Sequence, residues 1–262
     1  MILAYLDPGS GSALVGTLIA VAGAAVYSLK SFFYRLVSEK GGDEHSRIST
    51  ADLNSIAIFS EGKNYWSTWR LIVEELTGRR LDEACRELVF DPLGMSETRW
   101  GPLKDDGTVV QQPPEFVNTP NAVGEINDER AARCGFPVGN AGVFTTVGDL
   151  LKFTGDLARR ERFPREYYDL LQRPAFRWEG KVRSFGFDMS PDPALTAASP
   201  RAVRHSGYTG QTILADPETG VSAVVLTSRN CPHKDGLRNR NLLINRLVGG
   251  VRDRRPASGI NQ

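Results

Sequence analysis

The sequence predicts an α+β fold, an antiparallel sheet flanked by helices and preceded by an N-terminal transmembrane helix. Three observations carry it. Apolar residues fall at helical spacing in Trp66–Leu76 and Leu150–Leu157, then at strand-like alternation from Phe185 onward. Asp216-Pro217-Glu218-Thr219-Gly220 sits between two apolar runs as a hairpin turn, with Pro fixing φ and Gly supplying φ > 0. The run from Ala13 to Leu29 contains no charged residue.

Composition bounds the functions open to such a chain. Its 262 residues fit one large domain, or one domain with an appendage, at roughly 100–200 residues per domain. Lys and Arg number 32 against 31 Asp and Glu, a balance that argues against nucleic acid as a partner. A charged content of 24% with 9% aromatics excludes wholesale disorder. Cys85, Cys134 and Cys231 are scattered, without the spacing of a zinc site or a disulfide framework. No metal and no cofactor is expected.

Residues 1–36 read as a turn followed by the membrane helix. Asp7-Pro8-Gly9 delays any helix until Ser10 or Ser12 caps one. The uncharged run is short for a bilayer span and reaches the usual length with Ser31 to Tyr34, where Lys30 and Arg35 can snorkel beside aromatic residues. A secretory signal starts with positive charge; here Asp7 comes first, and Lys30, Arg35 and Lys40 follow the run. The expectation is a single pass of the cell membrane, with the lipid bilayer as partner and the chain after residue 36 in the cytoplasm. A buried core helix is the alternative that the many Ala and Gly residues leave open.

Tyr5–Ser12, this apolar run and SEGKNYW (Ser60–Trp66) resemble the N-terminus of bacterial CDP-glycerol glycerophosphotransferase-like membrane proteins. That resemblance covers about residues 1–70. It implies a place in the cell envelope, and a non-catalytic membrane component of teichoic-acid-like surface-polymer synthesis as one functional alternative.

Residues 37–54 are a polar linker, 55–250 the main domain, and 251–262 a charged tail. Within the domain Ser55–Ser60 reads as a strand, and Trp66–Leu76 as a helix ended by Thr77-Gly78, the Gly serving as cap. A second helix runs from about Leu81 to Phe90 and stops at Pro92. Residues 101–140, with many Gly, Pro and Asn, read as a long loop region. Thr146 caps a helix through Leu150, Leu151, Phe153 and Leu157, with Asp149 reaching back as the capping-box partner. Strands follow at Ser184–Met189, Ala202–Ser206, Thr212–Asp216 and Val221–Ser228, and a helix at Leu237–Val248 covers the sheet.

Several segments occur together in one order. They are IVEELTG (Ile72–Gly78), FDPLGMSET (Phe90–Thr98), NDERA (Asn127–Ala131), GNAGVFTTVGDLLKF (Gly139–Phe153), FGFDM (Phe185–Met189), HSGYTGQTILADPETG (His205–Gly220) and VVLTSRN (Val224–Asn230). Over about residues 70–233 they resemble the C-terminal part of the serine β-lactamase-like family, in its class C β-lactamase, D-alanyl-D-alanine peptidase and esterase branch. The resemblance implies a truncated β-lactamase-like fold. It also implies acyl-enzyme hydrolysis of a small-molecule β-lactam, a peptidoglycan-type D-Ala peptide or an ester.

In that family a Ser-x-x-Lys serine attacks the carbonyl, the Lys and a Tyr-x-Asn tyrosine manage its proton, and a Lys/His-Thr/Ser-Gly strand forms the far wall. His205-Ser206-Gly207 matches the last motif. By that match His205 holds a substrate carboxylate or tunes the proton relay, and Ser206 and Gly207 line the substrate. The Tyr208 main-chain N–H donates to the oxyanion. One Ser-x-x-Lys occurs, Ser60-Glu61-Gly62-Lys63, which makes Ser60 the candidate nucleophile and Lys63 its base. Counted back from Thr77-Gly78, the family's Tyr and Asn fall at Glu61 and Lys63, and neither matches. A non-catalytic module that keeps the fold is therefore the competing expectation.

Overall fold

No residue of Thr212–Asp216 faces solvent, so this strand must be covered on both sides. The structure that shows how is a computed structural model. It describes residues 3–5, 70, 73–74, 77–110, 123–139, 141–174, 176–184, 186–207, 210–227 and 236–254. In chain order its elements are β1 (Leu3–Tyr5), α1 (Leu81–Cys85), a π-helical turn (Arg86–Phe90), α2 (Asp91–Leu93), β2 (Arg99–Trp100) and β3 (Val109–Val110). Then come α3 (Glu129–Cys134), β4 (Val143–Thr145), α4 (Val147–Arg159), α5 (Arg165–Gln172), β5 (Phe176–Trp178) and β6 (Lys181–Arg183). The last are β7 (Val203–Ser206), β8 (Thr212–Asp216), β9 (Val221–Val225) and α6 (Gly236–Arg254).

Strands β7, β8 and β9 form an antiparallel sheet in that order, with β8 central. Alternation of side chains then assigns the two faces. Ile213 and Ala215 point into the main core, beside Val203, Phe153, Leu157, Tyr168 and Phe187. Leu214 points the other way, into a second core with Val221, Ala223, Val225 and the α6 residues Ile244 and Val248. The result is helices, sheet, helix. The α+β architecture expected from the sequence is the one observed, and β7, β8 and β9 lie within the predicted strands.

A second sheet, ordered β2-β4-β1-β3, stands beside this body. Its β4 strand carries Phe144 into a smaller core with Val109, Ile126, Ala131, Val138 and Ala141. Leu3–Tyr5 belongs to this sheet, paired with Val109–Val110 and with Phe144 and Thr145. Residues 1–36 are expected to be a turn and a membrane helix; a strand stands at their start. Among the described residues no helix is long and apolar enough to cross a membrane. The run Ala13–Leu29, the linker 37–54 and the strand predicted at Ser55–Ser60 lie outside the described residues.

Local chemistry explains the other departures. The helix expected to stop at Pro92 continues to Leu93, because Pro92 falls in the first turn of α2, where its missing N–H has no partner to lose. Gly94, with φ near +67°, then ends it. Thr146 caps α4 as predicted, its Oγ1 accepting from the Asp149 N–H at 3.1 Å. Asp149 does not reach back, however. Its buried carboxylate instead accepts from the Glu97 N–H (2.8 Å), the Thr98 hydroxyl (2.9 Å) and the Lys152 ammonium (2.9 Å), tying α4 to the turn after α2. The region read as a long loop contains β3 and α3, the latter capped by Asp128 through the Ala131 N–H at 2.7 Å. Among the described residues of the strand predicted at Ser184–Met189, only Asp188 bridges neighbouring strands, pairing with Arg183 and Arg204.

Helix α4 ends at Arg160, in the left-handed region at φ 61°. The chain turns there around one phenol. Tyr168 Oη accepts from the Arg162 and Phe163 N–H groups (3.0 and 2.9 Å) and donates to Asp156 at 2.7 Å. Burial raises the Asp156 carboxyl above its ordinary value, and the Tyr168 hydrogen bond opposes the rise. Tyr168→Phe leaves two N–H donors and one carboxylate oxygen without this partner. Its expected cost is about 1–3 kcal/mol in urea unfolding; an unchanged midpoint would show that water replaces the hydroxyl freely.

Candidate functional site

Strand β7 delivers the residues singled out by the sequence, and its alternation sorts them. Val203 and His205 are buried towards the helical layer, whereas Arg204 and Ser206 face the opposite side. The register places His205 against Ile213 and Ser206 against Thr212, with 3.2 Å between the two hydroxyls. His205 and Ser206 thus share a backbone but present their side chains to different faces. Gly207 follows at the strand end, where its N–H donates to the Gln211 carbonyl at 2.8 Å. Tyr208, Ser60 and Lys63 lie outside the described residues.

The turn after the motif is held from a distance. Arg240, on α6, is buried and donates to the carbonyls of Gly210 (2.8 Å) and Gln211 (3.4 Å). Gly210 adopts φ 105°, outside the range of L-residues, and its N–H donates to Gly207 at 3.2 Å. Sequence reading passed over Arg240. The signal was available: Arg240, Ile244 and Val248 recur every four residues, which puts a cation on the face that packs on the sheet.

His205 is 8% exposed, and neither ring nitrogen has a hydrogen-bond partner among the described residues. Burial, helped by the nearby Arg183 and Arg240 and opposed by Asp188, pushes its pKa down to about 3. The ring is therefore neutral near pH 7, with one N–H to donate and one lone pair to accept. A neutral ring cannot hold a carboxylate by charge; it acts through hydrogen bonds. Burying such nitrogens unpaired is unfavourable, by about 1–3 kcal/mol for each group.

Behind the strand the charges are paired. Arg204 donates to the Ser190 carbonyl at 2.9 Å and lies 3.5 Å from Asp188. Burial alone would raise the Asp188 carboxyl, but hydrogen bonds from Ser190 and the cations Arg204 and Arg183 outweigh it and hold the carboxyl below its ordinary value. Asn241 of α6 donates to Asp192 at 2.7 Å, which fixes the helix against the same loop. Among the described residues no cluster of His, Cys, Asp and Glu could hold a metal ion.

The sequence and the fold both have known relatives. A protein of Escherichia coli K12 that bears the name of a D-alanyl-D-alanine carboxypeptidase is 25% identical over 198 residues, covering 65% of this chain and 45% of its own length. A Bacillus subtilis N-acetylmuramyl-L-alanine amidase is 27% identical over 190 residues, covering 60% of this chain and 41% of its own length. The chain thus spans less than half of the curated relatives it matches. Among solved structures, a β-lactamase from Sulfitobacter superposes with a TM-score of 0.62 at 14% identity, covering 95% of this chain and 84% of that one. A penicillin-binding protein homologue from Caulobacter crescentus gives 0.54 at 18% identity, covering 92% and 82%. The family profile described as Beta-lactamase matches residues 64–246, well over half of the chain, and takes in the whole of β7, the following turn and Arg240. This chain belongs to the β-lactamase family.

Proposed function

We propose that the chain carries the far wall of an acyl-transferring serine hydrolase site whose substrate is a peptidoglycan-type D-Ala peptide or a β-lactam resembling one. The observation that carries this reading is His205: a buried imidazole with two unpartnered nitrogens, at the position where His-Ser-Gly matches the family's wall strand. The names of the carboxypeptidase and amidase relatives support the substrate class.

In this reading Ser60 supplies the nucleophile and Lys63 the base. The serine oxygen bonds to the substrate carbonyl carbon, the C–N bond breaks, and the serine proton passes to the leaving nitrogen. Water then hydrolyses the acyl-enzyme. Of the two roles the sequence allowed His205, its neutrality favours tuning the proton relay over gripping a carboxylate. The Tyr208 N–H donates to the developing oxyanion. The same reading attaches the chain to the cell membrane through Ala13–Leu29.

The test is covalent labelling of folded protein by a fluorescent penicillin and a fluorophosphonate, with the modified serine located by mass spectrometry. Labelling at one serine is expected, slowed about a hundredfold or more by His205→Ala. Absence of labelling in well-folded protein overturns the proposal. Labelling that survives Ser60→Ala removes Ser60 from it.

A further inference from the structure

Helix α6 packs on the sheet with Ile244 and Val248, yet four other apolar residues face outward, Leu242 and a row of three. Leu243, Leu247 and Val251 are 46%, 44% and 45% exposed, and their spacing of four residues aligns them as a stripe along the helix. The segment is also basic. Its sequence contains Arg238, Arg240, Arg246, Arg252 and Arg254 against the single acid Asp253, within a chain whose net charge is only +1. Arg240 is spent on the turn carbonyls, while Arg246 is exposed. An apolar stripe on a helix of this charge has the composition of an interfacial helix, which lies in the plane of a bilayer with cations at the headgroups.

We propose that the outer face of α6 docks on an anionic lipid surface, with Leu243, Leu247 and Val251 entering the headgroup boundary. Charge selects this occupant. A second copy of the chain would bring an equally basic helix against this one, whereas anionic headgroups complement it. The contact is separate from the acyl-transfer reading, and every protein compared carries Leu18→Glu/Val21→Glu, so that anchoring by Ala13–Leu29 does not mask it.

The test is co-sedimentation of the full chain with vesicles of phosphatidylglycerol and phosphatidylcholine, against vesicles of phosphatidylcholine alone. Preference for the anionic vesicles is expected, weakening as salt is raised. Leu243→Glu/Leu247→Glu should lower the anionic partition coefficient about tenfold or more. Arg246→Gln should lower it about fivefold, as expected for one cation at a charged surface. Leu242→Gln, roughly 140° around the helix from Leu247 and without added charge beside Arg246, should bind as wild type. All four positions are exposed, so thermal unfolding should stay near wild type and confirm folding. Equal binding to both vesicles, or binding unchanged in the double variant, overturns the proposal. So does a dimer in sedimentation velocity that the double variant dissociates.

Discussion

Between pH 6.5 and pH 3 the wild-type chain loses stability more steeply than a His205→Gln variant does. The reason is a proton that only the unfolded chain accepts. His205 has an ordinary value of 6.5 and a folded value of about 3, lowered first by burial. Its contribution to stability is complete above pH 6.5 and is lost as pH falls towards 3, because the unfolded state gains binding that the folded state refuses. At about 1.4 kcal/mol per pH unit, the loss over this window amounts to several kcal/mol. Asp156 runs in the opposite sense, since its raised carboxyl takes a proton more readily in the folded chain. Both proteins share that contribution, so it cancels when their urea midpoints are compared at each pH. Parallel curves would mean that the ring gains a partner or water in solution.

Asp149→Ala is expected to cost about 2–4 kcal/mol, mainly from leaving two donors without their buried charged acceptor. Three donors converge on this carboxylate from two elements, and the side chain is 2% exposed. Removing it leaves the Glu97 N–H and the Thr98 hydroxyl without this acceptor, while the half-exposed Lys152 keeps its bond to the Gly94 carbonyl. Thr98 keeps its 2.7 Å contact with Thr145, which limits the damage to the turn itself. Glu161→Ala is the matched control, since its pair with Arg159 is half-exposed on both sides and such pairs contribute roughly 0–1 kcal/mol. Urea unfolding measures both, and a loss below about 1 kcal/mol in Asp149→Ala would refute the bridging role.

What could be read from the sequence followed from periodicity. Strands β8 and β9 flank a turn whose Asp, Pro and Gly each have a steric reason to be there, and Gly220 does adopt φ 65°. Helix α4 declared its start through Thr146 and its buried face through Leu150, Phe153 and Leu157. Helix α5 was not seen. It begins after Pro164 without a side-chain cap, and its buried Tyr167, Tyr168 and Leu171 stand among Arg, Glu and Asp, which mask the apolar pattern. The β5–β6 hairpin was also missed. Its turn residues Glu179 and Gly180 both have positive φ, and Glu at the first of them lacks the usual Asn or Asp signal.

The site divided in the same way. His205-Ser206-Gly207 was visible as a motif, and the strand around it as alternation. The neighbours that determine His205's charge were not, because Arg183 and Asp188 approach from one stretch of chain and Arg240 from another, both outside β7. Contacts between such distant segments exist only after the sheet register is set. No local pattern announces them.

The hydrogen bonds from Arg240 to Gly210 and Gln211 give the two faces of this protein a shared free energy. One end of the contact belongs to a helix with an outward apolar stripe, the other to the turn after β7. A shift of α6 along the sheet must carry both carbonyls with it or leave them without this donor. The guanidinium thus makes the seat of a surface helix and the shape of a turn one mechanical unit.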